Sequence, residues 1–242
     1  MKLLFLDPVT SETTGEQLKH IRKYLDDGTE LVWDKISHGP YTIQSEYDEA
    51  LALPAILEKC EAAEKDGFDG IFINCFGDPA VRAAREICGI PVFGGFEPVV
   101  HTAMGLGDRI AVLNVLENVL PMNRGLVAKA HLAQIVVHMG TLGIPVCDLA
   151  DEAKTIEAVV RESLRAVKEH GAEDIILGCT RMVGIAGEAE IRLKEQGCEI
   201  PVLESAVVGV TLLEMYAKMG LKHSRKTYMP VLNRMSEGME TV

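Results

Sequence analysis

The chain has 242 residues, of which 48% are hydrophobic, and a formal net charge of −12. This length fits one large or two small domains, and the acidic balance argues against nucleic-acid partners, whose binding needs basic patches. No apolar stretch reaches the ~18 residues of a membrane span, and the apolar run within Met1–Leu6 is too short for a signal peptide. We therefore expect a cytoplasmic protein without a membrane partner, whose cysteines are thiols rather than disulfides.

Apolar runs bounded by glycine and proline alternate with helical patterns along the whole chain. The runs predict eight strands, near residues 2–6, 30–34, 70–74, 91–93, 109–113, 134–138, 174–178 and 201–203. The stretches between and after them predict eight helices, at residues 11–26, 45–66, 79–88, 97–105, 119–131, 151–170, 181–196 and 204–219. This alternation is typical of α/β folds with parallel sheets.

Parts of the first half of the chain recur in the same order in the second half. Cys75 directly follows one predicted strand, Cys179 directly follows another, and a helical stretch comes after each cysteine. Each helical stretch is followed by Ile-Pro-Val, at 90–92 and at 200–202. A repeat of roughly 100 residues is too long for a solenoid. It predicts two similar α/β domains with parallel sheets, related by a pseudo-two-fold axis, and an active site in the cleft between them.

The same repeat predicts that the chain crosses between the two domains twice. The first crossing falls near Val99 to Gly107, and the second falls near Glu204 to Val210, with the final helix returning to the first domain. The first domain then comprises residues 1–98 plus 210–242, and the second comprises residues 99–209.

The two cysteines are the strongest candidates for catalysis. Open α/β sheets bind their ligands at the carboxyl ends of the strands, where both Cys75 and Cys179 stand. If the two halves face each other, one thiolate can remove a proton while the opposite thiol supplies one. This arrangement predicts a cofactor-independent racemase that inverts a carbon next to a carbonyl. A free thiol has a pKa of about 8.5, and we expect the N-terminus of the helix after each cysteine to lower it.

The sequence predicts neither a metal site nor a cofactor. The six cysteines contain no C-x-x-C pair, and the seven histidines show no metal-ligand spacing. The glycines at 94–95 and 105–107 lack the pattern of a nucleotide-binding loop. The expected partner is therefore a small-molecule substrate.

Polar groups near the cysteines are candidates for binding that substrate. Proton removal leaves an enolate-like anion, which needs hydrogen-bond donors where its charge develops. The backbone amides of Gly77 and Thr180 are placed to supply them, and the Asn74 and Thr180 side chains add polarity. Asp7 and Thr10 end the first strand and are expected to border the same cleft, although Thr10 could instead cap the following helix.

Several stretches of the chain carry a family resemblance. They are Gly39–Pro40, Tyr47–Ala50, Asn74–Pro79, Ala83–Glu86, Pro91–Val92 and Leu177–Thr180. In these stretches the sequence resembles the Asp/Glu/hydantoin racemase superfamily, and it looks most like the hydantoin racemase branch. The resemblance extends over essentially the whole chain. It implies two α/β domains with the site between them, both cysteines as the acid/base pair, no cofactor, and a homo-oligomer.

Two stretches differ from the hydantoin racemase pattern. Residues 7–11 read Asp-Pro-Val-Thr-Ser, where that branch usually has Asn-Pro-Asn-Thr-Ser. Residues 178–182 read Gly-Cys-Thr-Arg-Met instead of Gly-Cys-Ala-Gly-Met, and the Gly-Cys-Thr is closer to amino-acid racemases. The second difference adds Arg181, which either binds a substrate carboxylate or points to solvent.

Four functions therefore remain open. The first is racemisation of 5-substituted hydantoins, and the second is racemisation of aspartate or glutamate. The third is a two-cysteine cis–trans isomerase of a dicarboxylate on the same fold, and the fourth is a two-lobed binding protein without catalysis. A decarboxylase is disfavoured, because decarboxylases of this kind keep only one of the two cysteines.

Overall fold

The computed structural model describes residues 1–11 and 15–231, which contain two four-stranded parallel sheets. The first sheet has the strand order β2-β1-β3-β4, with β1 Lys2–Asp7, β2 Glu30–Lys35, β3 Gly70–Ile73 and β4 Val92–Phe93. The second sheet has the order β6-β5-β7-β8, with β5 Ile110–Asn114, β6 Val136–Thr141, β7 Asp174–Leu177 and β8 Val202–Glu204. The predicted α/β class with parallel sheets is confirmed, and the two sheets share one connectivity; the pseudo-two-fold axis itself stays a prediction.

Eight helices occupy the predicted stretches within the described residues. They are α1 Gly15–Arg22, α2 Glu46–Lys65, α3 Val81–Ile87, α4 Phe96–Ala103, α5 Leu120–Lys129, α6 Glu152–His170, α7 Ala186–Glu195 and α8 Ser205–Lys218. Short 3-10 turns lie at Glu117–Val119 and Val146–Asp148. The predicted first helix, 11–26, is longer than α1, and its residues 12–14 lie outside the described part of the chain.

Local sequence signals account for several helix ends. The Ser45 side chain accepts a hydrogen bond from the backbone amide of Asp48 at the start of α2. The Asp151 side chain accepts one from the backbone amide of Lys154 at the start of α6. Such caps satisfy amides that have no partner within the helix. Gly171 ends α6 with a φ of 65°, a left-handed conformation that glycine adopts without a steric penalty.

Two of the predicted helices begin later than the sequence suggests. The sequence predicts a helix at 79–88, but Asp78 and Ala80 have φ angles of 52° and 58°, so α3 starts only at Val81. Non-glycine residues rarely adopt this backbone region, so surrounding contacts must hold the segment. Gly184, with a φ of 85°, similarly delays α7 relative to the predicted start at residue 181.

Helices cover both faces of the first sheet. Successive side chains of a strand point to opposite faces, so Leu4 and Leu6 pack with α2 and α3, whereas Leu3 and Phe5 pack with α8. Burial on both faces explains why the strands read as continuous apolar runs rather than as alternating patterns. The carboxyl ends of the strands are left for the loops that carry the cysteines.

Two helices pack on the sheet of the opposite half of the chain. Val99 and Val100 of α4, which follows the first sheet, share a cluster with Val112 and Ile176 of the second sheet. Helix α8 follows the second sheet and packs on the first. The predicted domain division requires such an exchange. The division itself, 1–98 plus 210–242 and 99–209, stays a prediction, and its residues 232–242 lie outside the described residues.

Within residues 1–11 and 15–231, no helix is both long enough and apolar enough to cross a bilayer.

Candidate active site

One pocket contains both predicted cysteines. Its walls come from the loops that follow the strands of both sheets, together with residues of α5 and the 3-10 turn at Val146–Asp148. The lining residues are Pro8, Val9, Ser11, Thr42, Ile43, Asn74, Cys75, Phe76, Gly77, Val115, Val119, Met122, Asn123, Val146, Gly178, Cys179, Thr180 and Arg181. Cys75 follows β3 and Cys179 follows β7, which hold the same position in the two sheet orders. The structure therefore brings together the two thiols that the repeat identified.

The loop after Cys75 packs closely against the loop after Cys179. Gly95 donates its amide to the Cys75 carbonyl at 3.0 Å. A side-chain carbon added at Gly95 would lie 2.7 Å from Thr180 Cγ2 and 3.0 Å from Phe76 Cα. Only a hydrogen atom fits in this space, so Gly95 allows the two cysteine loops to approach each other.

The surroundings of Cys75 favour its neutral thiol over the thiolate. Burial raises the pKa of Cys75, the Gly77 backbone amide acts in the opposite direction by donating a hydrogen bond, and the neighbouring Cys179, Glu49 and Asp78 raise the pKa further. The predicted anion donor Gly77 thus serves the sulfur of Cys75 in this structure. A backbone amide that donates a hydrogen bond to a buried sulfur stabilises the thiolate and so lowers the pKa of the thiol.

The Cys179 thiol has a different set of neighbours. Burial raises the pKa of Cys179, while backbone amides of Arg181 and Met182 and the charge of the Arg181 guanidinium act to lower it. The donors to the sulfur are thus the amides of the two residues after Thr180. The role predicted for the Thr180 amide, as a donor to the substrate anion, stays a prediction. Thr180 is buried and lines the pocket.

The expectation that helix N-termini lower the two pKa values is wrong. Helix α3 begins at Val81 and α7 begins at Ala186, so neither cysteine lies in the turn that precedes a helix. The influence of a helix dipole falls off within its first turn. Loop amides replace the helix termini as donors, and burial outweighs them at both thiols.

Asp7 and Thr10 do not line the pocket, in contrast to their predicted place at its border. The buried Asp7 carboxylate accepts hydrogen bonds from Asn74 Nδ2 at 2.6 Å and from Trp33 Nε1 at 2.8 Å. Thr10 donates its amide and its hydroxyl to the Pro40 carbonyl, at 2.9 Å and 3.2 Å. Both residues therefore support the wall from behind, and Asn74, which Asp7 holds, lines the pocket itself.

Arg181 lies at the boundary between the pocket and a second, more polar cavity. Its Nη2 donates to Ser11 Oγ at 2.8 Å, and its carbonyl accepts from Gln17 Nε2 at 2.7 Å. These contacts join the loop of Cys179 to the segments around α1. The guanidinium is thereby held at the pocket wall, where an anionic group could reach it.

Several wall residues escaped the sequence analysis. Met122 and Asn123 come from α5, and Asn123 Nδ2 donates to the buried Asn114 Oδ1 at 2.5 Å. Asn114 ends β5 as Asp7 ends β1, and it holds a pocket amide as Asp7 does. Residues 1–7 and 109–114 both read as a short apolar run that ends in a polar residue. This similarity is a sequence signal that could have identified Asn114.

Two carboxylates lie on the far side of the Cys75 loop. Burial raises the pKa of Asp78 to about 7, although its side chain accepts the amides of Phe96 at 2.9 Å and Glu97 at 3.2 Å at the start of α4. Burial, and secondarily Glu46, raise the pKa of Glu49. A carbon added at Gly77 would lie 3.5 Å from Glu49 Oε2 and 3.7 Å from Cys75 Sγ, so this carboxylate is close to the thiol.

Within 1–11 and 15–231, no three or more His, Cys, Asp or Glu side chains cluster in a way that could hold a metal ion.

Comparison with known proteins identifies the family. A family model described as Asp/Glu/Hydantoin racemase matches residues 3–213. A hydantoin racemase from Pseudomonas sp. (strain NS671) is 35% identical over 231 residues, which is 94% of this chain and 91% of the relative. The structure of allantoin racemase from Klebsiella pneumoniae matches with a TM-score of 0.89 at 28% identity, over 99% of this chain and 97% of that one.

A second solved structure gives a similar result. Allantoin racemase from Pseudomonas fluorescens matches with a TM-score of 0.90 at 26% identity, over 98% of this chain and 100% of that one. Homologues of this kind indicate an isomerase of the racemase type. The chain belongs to the Asp/Glu/hydantoin racemase family.

Proposed function

We propose that the protein is a cofactor-independent racemase that inverts the ring carbon next to a carbonyl in 5-substituted hydantoins. Cys75 and Cys179 are its two acid/base groups. The observation that carries this proposal is that both thiols, at matching positions of two matching sheets, line one pocket. The hydantoin and allantoin racemases among the similar proteins support the same ring class.

The reaction needs a base on one face of the ring carbon and an acid on the other. One thiolate takes the proton, and the electron pair of the broken C–H bond moves to the carbonyl oxygen. The opposite thiol then donates its proton to the other face, and the electron pair returns to carbon. The amides of Asn74 and Asn123 and the hydroxyl of Thr180 line the pocket and are donors of the kind that stabilises the intermediate oxygen anion.

The chemistry of the walls favours a neutral substrate. Apolar side chains dominate the lining, and among its described residues Arg181 is the only charged one. An aspartate or glutamate substrate would bring an ammonium group into a pocket whose lining has no carboxylate to pair with it. Burying an unpaired charge is strongly unfavourable. A hydantoin ring carries amide groups instead, which the polar side chains can satisfy.

Arg181 is the observation that favours the alternative of an anionic substrate. A guanidinium binds a carboxylate through two parallel hydrogen bonds, as in an acidic amino acid or an unsaturated dicarboxylate. The alternatives are therefore an aspartate/glutamate-type racemase and a two-cysteine cis–trans isomerase of a dicarboxylate.

The test follows hydrogen exchange with deuterated solvent together with optical rotation. The panel contains alkyl hydantoins, allantoin, aspartate, glutamate and a cis dicarboxylate. We expect loss of rotation with deuterium incorporation on a hydantoin, and abolition of racemisation in both Cys75→Ser and Cys179→Ser. Cys198→Ser is the matched control, because this half-buried thiol lies outside the pocket lining and should retain full activity.

The outcomes separate the candidates. Wild-type racemisation by Cys75→Ala would exclude the two-thiol mechanism. Activity confined to aspartate or glutamate would replace the hydantoin by an amino acid. Conversion of the cis dicarboxylate with a trapped covalent adduct on one cysteine would identify the isomerase.

A further inference from the structure

We propose that the two thiols are unequal in the free protein: Cys179 ionises first, because the Arg181 guanidinium is held at the wall of the same pocket, two residues along the same loop, whereas the carboxylates of Glu49 and Asp78 lie near Cys75. Arg181 and Glu49 are then positioning residues, which act through the thiols. The order of ionisation concerns the free protein, and only its catalytic consequence rests on the proposed function.

The surroundings of Cys75 oppose a negative charge. A carbon added at Gly77 would lie 3.5 Å from Glu49 Oε2 and 3.7 Å from Cys75 Sγ, so the carboxylate lies near the sulfur on the other side of this position. Asp78 lies three residues after Cys75 in the sequence, and its carboxylate is held by hydrogen bonds from the backbone amides of Phe96 and Glu97. The charges of these two acidic groups therefore act on the Cys75 sulfur against one donating amide from Gly77.

The surroundings of Cys179 favour a negative charge. Two backbone amides, those of Arg181 and Met182, donate to the sulfur, and the Arg181 guanidinium adds a full positive charge. Ser11 holds this guanidinium at the pocket wall through the 2.8 Å hydrogen bond to Nη2. An opposite charge at close range lowers a thiol pKa by about 1–3 units relative to the same site without it.

More distant charges do not reverse this difference. The cavity behind Gly77 is lined by the charged residues Glu49, Asp78, Arg82, Glu97 and Lys129. Its two cations, Arg82 and Lys129, together with Arg85, which pairs with Glu97 at 2.6 Å, equal the three carboxylates in number. The charged or titratable residues that line the cavity beyond Arg181 are Glu16, Lys19, His20, Lys23, Cys147 and Glu152. The charges of the two lysines and the two glutamates cancel.

The difference in ionisation between the two thiols determines which cysteine acts as the base and which as the acid in the resting enzyme. When the Cys179 thiolate takes the substrate proton, its S–H bond forms as the C–H bond breaks, and the electron pair moves to the carbonyl oxygen. Cys75 then transfers its proton to carbon and is left as the thiolate, beside Glu49 and Asp78. The free enzyme must afterwards move one proton from Cys179 to Cys75, directly or through solvent. The enantiomer whose hydrogen faces Cys179 therefore reacts with the resting form.

The test measures ionisation without any substrate. Only the thiolate is alkylated, so iodoacetamide labelling of each cysteine peptide across a pH series, read by mass spectrometry, gives one midpoint for each thiol. The exposed Cys147 in the same sample is the internal reference. Difference ultraviolet titration, in which the thiolate absorbance of Cys75→Ser or Cys179→Ser is subtracted from that of the wild type, isolates each thiol among the six and does not depend on reagent access.

We expect a lower midpoint for Cys179 than for Cys75. Arg181→Gln should raise the Cys179 midpoint by about one pH unit, Arg181→Lys should restore most of the difference, and Glu49→Gln should lower the Cys75 midpoint. Glu58→Gln is the control, because Glu58 lies on the same helix α2 but is exposed, and we expect it to shift neither midpoint.

Two results would overturn the inference: a Cys75 midpoint equal to or below that of Cys179, or an unchanged Cys179 midpoint in Arg181→Gln. Failure of the proposed function looks different. In that case the midpoints follow the expected order, while no compound of the substrate panel loses rotation or exchanges hydrogen.

Discussion

Asn74 donates a 2.6 Å hydrogen bond from its side-chain amide to the buried carboxylate of Asp7. Asn74 is the residue directly before Cys75, and Asp7 is the last residue of β1. The contact therefore ties the start of the cysteine loop to the neighbouring strand. Trp33 of β2 donates to the second oxygen of the same carboxylate, at 2.8 Å. One acidic side chain thus joins three adjacent strands directly behind the candidate active site.

Replacing Asp7 by alanine should reduce both stability and activity. The change leaves the donors of Trp33 and Asn74 without their acceptor, and an unsatisfied buried donor costs about 1–3 kcal/mol. We expect a loss of free energy of unfolding in that range, measured by urea denaturation. The turnover number kcat should fall more than KM rises, because Asn74 no longer fixes the start of the Cys75 loop.

Asp34→Ala provides the control for this prediction. Asp34 also accepts a side-chain hydrogen bond, from Lys59 Nζ at 2.5 Å, but its side chain is 45% exposed. Exposed ion pairs contribute about 0–1 kcal/mol. An equal loss of stability in the two variants would contradict the role assigned to the buried Asp7 contacts.

Gly95→Ala should separate the two cysteine loops. The added methyl carbon would lie 2.7 Å from Thr180 Cγ2, 3.0 Å from Phe76 Cα and 3.1 Å from the Cys75 carbonyl oxygen. Backbone atoms cannot move away independently, so the loops must shift. A misplacement of about 1 Å in an active site can reduce the rate on the order of a hundredfold, and we expect a decrease of that order in kcat/KM, measured by polarimetry.

Gly187→Ala is the matched substitution for Gly95→Ala. Gly187 lies in α7, and a carbon added there meets no atom within 4 Å. Alanine is preferred over glycine in a helix by up to about 1 kcal/mol, so this variant should be as stable as the parent or slightly more stable, with unchanged activity. Full activity in Gly95→Ala would show that the loops tolerate the methyl group.

The racemisation rate should increase from acidic to alkaline pH. Burial raises the pKa of both Cys75 and Cys179, so thiolate is the minor form of each at neutral pH. The fraction with one thiolate then grows about tenfold per pH unit as long as it remains small. Initial rates across a pH series should show this rise in kcat/KM. A profile that is flat from weakly acidic pH upward would mean that a thiolate is already fully formed there.

The sequence was sufficient to predict the strands, the helices and the pair of thiols. Each buried strand is a short apolar run with glycine or proline nearby, and Cys75 and Cys179 both follow such runs. Because parallel strands place their carboxyl ends at one edge of a sheet, the position of a residue after a strand is enough to assign it to that edge.

The direction of side chains beyond a strand end could not be predicted in the same way. Asp7 is the last residue of β1, and it turns toward Trp33 and Asn74 rather than into the pocket. The positive φ angles of Asp78 and Ala80 delayed α3 and moved its N-terminus away from Cys75. Contacts such as Arg181 to Ser11 join residues far apart in the sequence, and no local pattern encodes them.

Asp174 leads to a prediction about stability that is independent of catalysis. This residue begins β7, is fully buried, and within the described residues neither of its carboxylate oxygens has a hydrogen-bond partner. Burial raises the pKa of Asp174 to about 6, and the neighbouring Glu173 raises it as well. In the unfolded chain the pKa of an aspartate is about 3.9.

The folded protein therefore binds more protons than the unfolded chain between about pH 4 and pH 6, so stability falls as the pH rises through this window and stays lower above it. Asp174→Asn removes the ionisable group and should raise the free energy of unfolding at neutral pH, by on the order of 1–2 kcal/mol. This gain should shrink toward zero below about pH 4, where the wild-type carboxyl is neutral in both states. Urea denaturation of both proteins across the pH series measures the difference. Asp27→Asn is the control, because Asp27 is exposed, and its free energy of unfolding should show no pH-dependent gain. If Asp174→Asn instead raises the free energy of unfolding by the same amount at every pH, packing and not ionisation is responsible.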